Sequence, residues 1–209
     1  MSVLSRLACA LGRRDEVPNR ELARALVETQ DTAGIQEIAV NLWNKDGNIQ
    51  ADCIKVLYEI GYLQPRLIKA YSGDFVKLLK SRNNRLVWGG MLALSTIGAL
   101  VAKELFPHIA EIEKAMDSGS VITRDSGVLA LAGIASTSEE RGKTIFPYLL
   151  AHLSHCRPKD VAQHGEKILL AVSTTNKAEF IAVLEKRMED LLGTQITRVK
   201  KVIKQAENR

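Results

Sequence analysis

Four copies of a nine-residue segment recur along the chain at nearly constant spacing. CIKVLYEIG begins at residue 53, GMLALSTIG at 90, GVLALAGIA at 127 and GEKILLAVS at 165, so the spacings are 37, 37 and 38 residues. A fixed period of about 20 to 50 residues is typical of repeat proteins, in which each repeat packs on its neighbours. This period constrains the fold more than any other feature of the sequence.

The positions that the four segments share have the spacing of one helical face. They are the first, fourth, fifth, eighth and ninth residues, which corresponds to i, i+3, i+4, i+7 and i+8. Each repeat is therefore predicted to contain two helices, an outer helix A followed by a polar turn and an inner helix B. The shared positions of helix A lie upstream and four residues apart: Ile38, Phe75, Ile112 and Leu149, then Leu42, Leu79, Met116 and Leu153.

A single helix pair cannot bury its apolar stripe, so neighbouring pairs are expected to stack into an α-α superhelix. Residues 31–175 are predicted to hold the four repeats, residues 1–30 the N-terminal capping helices and residues 176–209 a C-terminal capping helix pair. Asn19 is expected to be the N-cap of the last N-terminal helix. The whole chain is thus predicted to be one all-α domain, residues 1–209, of roughly five to six helix pairs.

This pattern resembles HEAT repeats, a family of the armadillo-like superfamily. In that family helix B commonly begins with Val-Arg and continues to Ala-Leu-x-x-Ile-Gly, and this chain has LALSTIG at 92–98 and LALAGIA at 129–135. Arg124 falls at the position of the family's helix-B arginine, whereas the other three repeats have uncharged residues there. The resemblance covers residues 31–175 and implies a HEAT-like solenoid, but it implies no particular function.

The net charge and the spacing of the cysteines indicate which partners and which cellular compartment to expect. The net charge is +5, which permits an acidic or nucleic-acid partner, and much of the excess lies in residues 198–209. Cys9, Cys53 and Cys156 are far apart and form no CxxC pair, which favours a reducing compartment and a cytoplasmic protein. The uncharged run from 86 to 102 contains Gly, Ser and Thr and includes one repeat copy, so no contact with a membrane is expected.

Motifs of catalysis and of cofactor binding are missing from the sequence. It contains no GxSxG, P-loop, GxGxxG or HExxH pattern, so neither an enzyme nor a cofactor is predicted. The segment HLSHC (152–156) places His152 and Cys156 on one helical face, and His164 could approach them from the next helix. However, the segment ends a helix A, where histidines commonly cap carbonyl groups, and no other repeat has an equivalent. No metal site is therefore predicted.

One side of helix B varies between the repeats. It is polar in the first repeat, small or apolar in the second and third, and again largely polar in the fourth. The tight curvature of the superhelix could bury this side against neighbouring B helices. Alternatively, a protein, a peptide or a second copy of the chain could fill an apolar groove centred on Trp88, Leu92 and Leu129. The varying residues are Asp52, Lys55 and Glu59, then Gly89, Leu92 and Thr96, then Ser126, Leu129 and Gly133, and finally His164, Lys167 and Ala171.

We predict a non-catalytic function, a protein–protein interaction or scaffold module that binds a protein or peptide on the concave face of the B helices. Aromatic and aliphatic anchors at the centre and polar residues at the rim are typical of such interfaces. The predicted partner-binding residues are Trp88, Leu92, Thr96, Asp125 and Leu129, with Lys55 and Lys167 as a polar rim.

The alternative is a nucleic-acid-binding or DNA-repair protein. One HEAT-like branch, the alkylpurine DNA glycosylases, holds damaged DNA on a basic concave face with aromatic and acidic residues, and resemblance to that branch would give this role to Trp43, Trp88 and Asp125. Such a site also needs cations for the phosphates. The middles of the B helices are nearly uncharged, which favours the protein-binding hypothesis.

Overall fold

A computed structural model describes residues 2–209, and this part of the chain contains twelve α-helices and no β-strand. The α-helices are α1 (Val17–Glu28), α2 (Thr32–Val40), α3 (Gly47–Leu63), α4 (Ser72–Leu78), α5 (Asn84–Ile97), α6 (Ala102–Leu105), α7 (Ile109–Ser118), α8 (Val121–Ala135), α9 (Glu139–His155), α10 (Val161–Ile168), α11 (Lys177–Arg187) and α12 (Thr194–Glu207). Short 3-10 helices are Val3–Arg6, Asn41–Trp43, Pro65–Leu67, Lys69–Tyr71, Phe106–His108, Pro158–Asp160, Leu169–Ala171 and Met188–Asp190. The all-α prediction is confirmed.

The predicted helix pairs are present in all four repeats. Helices α2, α4, α7 and α9 are the A helices, and helices α3, α5, α8 and α10 are the B helices. The shared apolar positions are buried, because they form the stripe that each helix turns towards the core. In helix A, Ile38, Phe75, Ile112 and Leu149 are all 0% exposed, and so are Val56, Ala93, Ala130 and Ile168 in helix B.

Polar side chains in the turns begin the B helices, as their residue types predict. Asp46 accepts a hydrogen bond from the Asn48 amide at the start of α3, and Asn83 accepts one from the Arg85 amide at the start of α5. Each bond satisfies one of the backbone N–H groups that a helix N-terminus leaves without an intrahelical partner.

Short helices between the predicted pairs were not expected from the sequence. Two 3-10 turns, Pro65–Leu67 and Lys69–Tyr71, separate α3 from α4, and α6 with the turn Phe106–His108 separates α5 from α7. A repeat of two helices is typical of HEAT proteins, and a repeat with a third, short helix is typical of armadillo proteins. The first repeats therefore have more armadillo character than the HEAT pattern predicts.

The chain divides into two compact units, one ending at Gly127 and the other running from Val128 to Arg209. The division falls inside helix α8. In the first unit α3 packs between α1 and α5. In the second unit α11 packs against α9, and α12 packs against α10 and α11. The organisation of residues 1–209 as one domain stays a prediction.

The N-terminal helix begins earlier than predicted. Helix α1 starts at Val17 with Pro18 in its first turn, a position where the missing N–H of proline costs no hydrogen bond. Asn19 is consequently inside the helix and fully buried, so the prediction that it is the N-cap is wrong. Its side-chain amide donates to Asp52 on α3 at 2.8 Å, and its side-chain oxygen accepts from the Ala8 amide at 3.0 Å.

Candidate functional site

Helix α5 leaves one side partly uncovered in the first unit. Arg85 is exposed, and Trp88, Leu92 and Ser95 are half-buried. These four residues are spaced at i, i+3, i+7 and i+10, so they form one side of the helix, which is called the α5 surface below. The shared repeat positions of the same helix, such as Ala93 and Leu94 at 0% exposure, are fully buried.

The contact between α3 and α5 explains which inner residues are covered. Gly89 is buried, and a Cβ added there would lie 2.7 Å from Cγ1 of Ile54 on α3. A Cβ added to Gly61 on α3 would likewise clash with the hydroxyl oxygen of Thr96. Thr96, a predicted partner-binding residue, therefore lies half-buried at this seam between the two helices.

An aromatic row adjoins the α5 surface and was missed in the sequence. The Tyr58 ring of α3 lies 6.0 Å from the Trp88 ring at an interplanar angle of 55°. On its other side it meets the exposed Tyr62 edge to face, also at 6.0 Å. The T-shaped arrangement of Tyr58 and Tyr62 is a favourable one for aromatic rings, and both centroid distances lie within the favourable range of about 4.5 to 7 Å. The spacing of Tyr58 and Tyr62, one helical turn apart, was the available signal.

Lys55 is not part of a polar rim, contrary to the prediction. It is only 6% exposed, because α1 and Glu16, the residue before α1, cover that side of α3. Its amino group lies 2.9 Å from Glu16 and 2.7 Å from Glu59, and 4.7 Å from the centre of the Tyr58 ring. Desolvation lowers the pKa of Lys55, but hydrogen bonds to Glu59, Tyr58 and Glu16 outweigh it and raise the pKa above its usual value. Lys55 thus supports the aromatic row as a buried cation beside the Tyr58 ring.

A positive and a negative side chain, Arg85 of the α5 surface and Glu16 beside it, lie at one end of this surface. Glu16 also faces the Arg85 guanidinium at 3.7 Å, and their side chains are 41% and 45% exposed. This distance is longer than a direct hydrogen bond, which leaves N–H groups of Arg85 to donate to another acceptor.

The remaining predicted residues lie on helices α8 and α10. Asp125 and Leu129 are half-buried on α8, Asp125 in the first unit and Leu129 in the second. Lys167 is half-buried on α10 in the second unit. The two tryptophans have different neighbours, since Trp43 lies 6.0 Å from the amino group of Lys77 and no ring contact joins it to Trp88 in residues 2–209.

Asp52, which the sequence placed on the variable inner side, is buried in a polar network. Its carboxylate accepts hydrogen bonds from the Asn19 side chain at 2.8 Å and from the Cys9 amide at 2.7 Å. Burial, together with the hydrogen bond and charge of Asp52, raises the pKa of the Cys9 thiol to about 11. The Cys9 thiol is therefore protonated at neutral pH and is a poor nucleophile.

The segment HLSHC ends helix α9, as predicted. His155 contacts the Ala151 carbonyl at 2.8 Å, which is a capping contact, and His152 Nε2 lies 3.1 Å from Nδ1 of the buried His164. Cys156 is turned towards Arg187 and the Leu153 carbonyl instead of towards this histidine pair. In the part of the chain that the structure describes, no three His, Cys, Asp or Glu side chains are grouped to hold a metal ion.

A cleft of about 590 Å³ lies in the second unit, between the C-terminal ends of α8 and α10 and the N-terminal ends of α9 and α11. Phe146 and Leu170 contribute apolar surface, and Ser136 and Thr175 contribute hydroxyl groups. The Glu139 and Lys143 side chains at this cleft form an ion pair with each other, so they add no net charge to it.

The sequence matches no protein-family model and no curated protein. Solved structures, in contrast, match along most of the chain. An engineered protein aligns with a TM-score of 0.70 at 19% identity, covering 100% of this chain and 98% of that chain. A designed armadillo repeat protein in complex with the peptide (KR)4 aligns with a TM-score of 0.70 at 14% identity, covering 90% and 86%.

The chain has an armadillo-like helical-repeat fold. A further similar structure carries the description of computationally designed armadillo repeat proteins for modular peptide recognition, with a TM-score of 0.68, 16% identity and 88% and 86% coverage. Identities at this level support the fold alone. The structural similarity to armadillo repeat proteins agrees with the third, short helix that the first repeats of this chain contain. No helix within residues 2–209 combines the length and the apolar content that crossing a membrane requires.

Proposed function

We propose that this chain is a non-catalytic binding module that holds a peptide segment of a protein partner on the α5 surface. One observation carries the proposal: Trp88 and Leu92 are half-buried and apolar, although other residues of α5, at the shared repeat positions, already form its buried stripe. Apolar side chains that the core does not use, at the centre of a rigid face, are the ones that a partner covers.

The surroundings of Trp88 suit a peptide. Trp88 packs on Tyr58, and the Lys55 amino group lies against the Tyr58 ring, so little side-chain entropy is lost when a partner binds. The exposed Arg85 offers N–H donors to the carbonyl groups of an extended peptide, and Glu16 beside it offers acceptors. The two designed neighbours described as binding or recognising peptides support the proposal, because they have the same kind of fold.

The other predicted residues are proposed to bind a partner within their own units, Asp125 in the first unit and Leu129 and Lys167 in the second. Asp125 and Leu129 on α8 and Lys167 on α10 are half-buried, so each of them has surface to offer a partner. Thr96 contributes at the seam with α3. Lys55 is assigned the supporting role described above instead of a place on the rim.

A selection from a random peptide library on the folded chain tests the proposal. Peptides enriched on the natural sequence are expected to lose about tenfold or more of their affinity for the Leu92→Asp variant, because a carboxylate would then replace the apolar anchor. The matched control is Leu100→Asp, at a leucine that is 46% exposed but lies outside helix α5. Enriched peptides that bind Leu92→Asp as tightly as the natural sequence would overturn the proposal.

A further inference from the structure

Helix α12 has a basic side whose three lysines form no ion pair in the described residues. Lys200, Lys201 and Lys204 are exposed, and within residues 2–209 none of their amino groups lies within ion-pair distance of a carboxylate. Arg198 on the same helix differs, since it forms a two-point ion pair with Glu166 on α10. The three lysines are therefore the free cations of this helix.

The opposite side of α12 is buried by packing against other helices. Val199, Val202 and Ala206 are 0%, 1% and 0% exposed, because α12 packs against α10 and α11. At 100° per residue the three lysines lie on the side away from this stripe, within about one third of the helix circumference.

This arrangement costs stability within the protein itself. Lys204 follows Lys200 by four residues and Lys201 by three, and like charges at these spacings repel by a few tenths of a kcal/mol per pair. The helix dipole favours cations only in the last turn, which contains Lys204 but neither of the other two. An external anion would relieve the repulsion of all three.

The net positive charge of the chain is concentrated in the segment that contains α12. Residues 194–209 contain five basic residues and one acidic residue, which accounts for four of the five net positive charges of the sequence. The segment contains no Phe, Tyr or Trp.

We propose that the basic side of α12, formed by Lys200, Lys201 and Lys204, binds the phosphate backbone of duplex DNA without reading its bases. Ammonium groups spaced a few Å apart along a helix fit a duplex that carries one phosphate charge per about 1.7 Å of its axis. Lysine ammonium groups donate to phosphate oxygens, and contacts to phosphates position the duplex without carrying sequence information.

Other partners fit this side of α12 less well. Single strands are held by stacking on aromatic side chains, which the segment lacks. RNA duplexes are recognised mostly by shape, through contacts to 2′-hydroxyls and phosphates spread over successive minor grooves, which three lysines on one helix do not span. A protein partner would need a desolvated apolar or aromatic anchor, and a membrane would need the apolar stripe that α10 and α11 already cover.

The salt dependence of binding to a fluorescent 20-base-pair DNA duplex tests this proposal, with the full chain and 50 to 200 mM KCl. Neutralising three phosphate contacts by the triple change Lys200→Gln, Lys201→Gln and Lys204→Gln should lower the slope of log K against log[salt] by about 2 to 3. The lysines are exposed, so the far-UV circular dichroism is expected to stay unchanged.

A second triple variant, Lys45→Gln, Lys69→Gln and Lys103→Gln, removes the same charge from exposed lysines of the first unit and should leave the slope unchanged. Equal losses in the two variants, or no salt-dependent binding at 50 mM KCl, would overturn the proposal. So would lysine-dependent binding of a poly-glutamate peptide, a single strand, an RNA duplex or a phosphatidylserine vesicle as tight as that of the DNA duplex. Peptide binding at the α5 surface involves other residues, so either proposal can fail while the other holds.

Discussion

Arg187 on α11 donates through Nη1 to the carbonyl oxygen of Leu153 on α9 at 2.7 Å. Its Nη2 donates to the carbonyl of Cys156 at 2.8 Å, and the side chain of Arg187 is only 7% exposed. One buried guanidinium thus satisfies two carbonyl groups that the C-terminus of α9 leaves without intrahelical partners. These two hydrogen bonds hold α9 and α11 together within the second unit.

Replacing Arg187 by Ala should lower the free energy of unfolding by about 1 to 3 kcal/mol, because the Cys156 carbonyl would lose its donor and the Leu153 carbonyl would keep only the weak contact with the Cys156 thiol. Lys186→Ala, at the exposed neighbouring position on α11, is the control and should cost less than about 0.5 kcal/mol. Urea denaturation followed by circular dichroism measures both. Equal effects of the two substitutions would refute this role of Arg187.

Gly89→Ala should destabilise the first unit by about 1 to 3 kcal/mol, because the new Cβ would overpack against Ile54. The loss should shrink in the Ile54→Ala background, where the clashing atoms are gone, and a double-mutant cycle measures this coupling. Gly73→Ala is the matched control: that glycine lies in α4 with no atom near the added Cβ. It should be neutral or stabilising by up to about 1 kcal/mol. Additive effects at Gly89 and Ile54 would contradict the close approach of α3 and α5.

Lys55→Ala is expected to reduce the free energy of unfolding by about 1 to 3 kcal/mol, since it removes the cation that Glu16, Glu59 and the Tyr58 ring share. The partial exposure of both carboxylates keeps the value near the lower end of that range. Lys45→Ala, at an exposed lysine, should change the stability by less than about 0.5 kcal/mol. A Lys55→Ala protein as stable as the natural one would contradict the stabilising role of this buried cation.

The raised pKa of Cys9, about 11 against 9.0 for an unperturbed thiol, makes its reactivity depend on pH. In a Cys156→Ser background, alkylation of Cys9 by iodoacetamide at pH 8 should be roughly 100-fold slower than that of a thiol of ordinary pKa. Because the folded-state pKa is the higher one, the stability contributed by the protonated thiol is complete below pH 9 and is lost as the pH rises towards 11. Mass spectrometry of the labelled peptide, with a urea-unfolded control, gives the rate. Equal rates in the folded and unfolded chain would be inconsistent with this environment.

The repeated core was predictable because its residue types recur at a fixed period. Phe75 and Ile112, or Val56 and Ala93, occupy the same positions in successive repeats and are buried for the same reason. Capping of the B helices was also predictable, since a local residue type such as Asp46 or Asn83 decides it.

The site was less predictable, because its environment depends on helices outside the repeat. Lys55 is buried by α1, which the period does not include, and Asn19 lies inside that helix because Pro18 lets the helix begin earlier. Tyr58 has no aromatic equivalent in the next repeats, where Ser95 stands at the same position. Its contact with Trp88 arises only when α3 and α5 pack side by side.

The most direct measurement of the central claim is the fluorescence of Trp88 in a Trp43→Phe variant, in which Trp88 is the single remaining tryptophan. Titration with a peptide selected on the natural sequence should give a saturable blue shift, because the bound peptide covers the half-buried indole. The peptide concentration that gives half of the maximal shift should rise at least about tenfold with Leu92→Asp and stay unchanged with Leu100→Asp. Saturable peptide binding that leaves the Trp88 emission unchanged would contradict the account and place the binding site elsewhere on the chain.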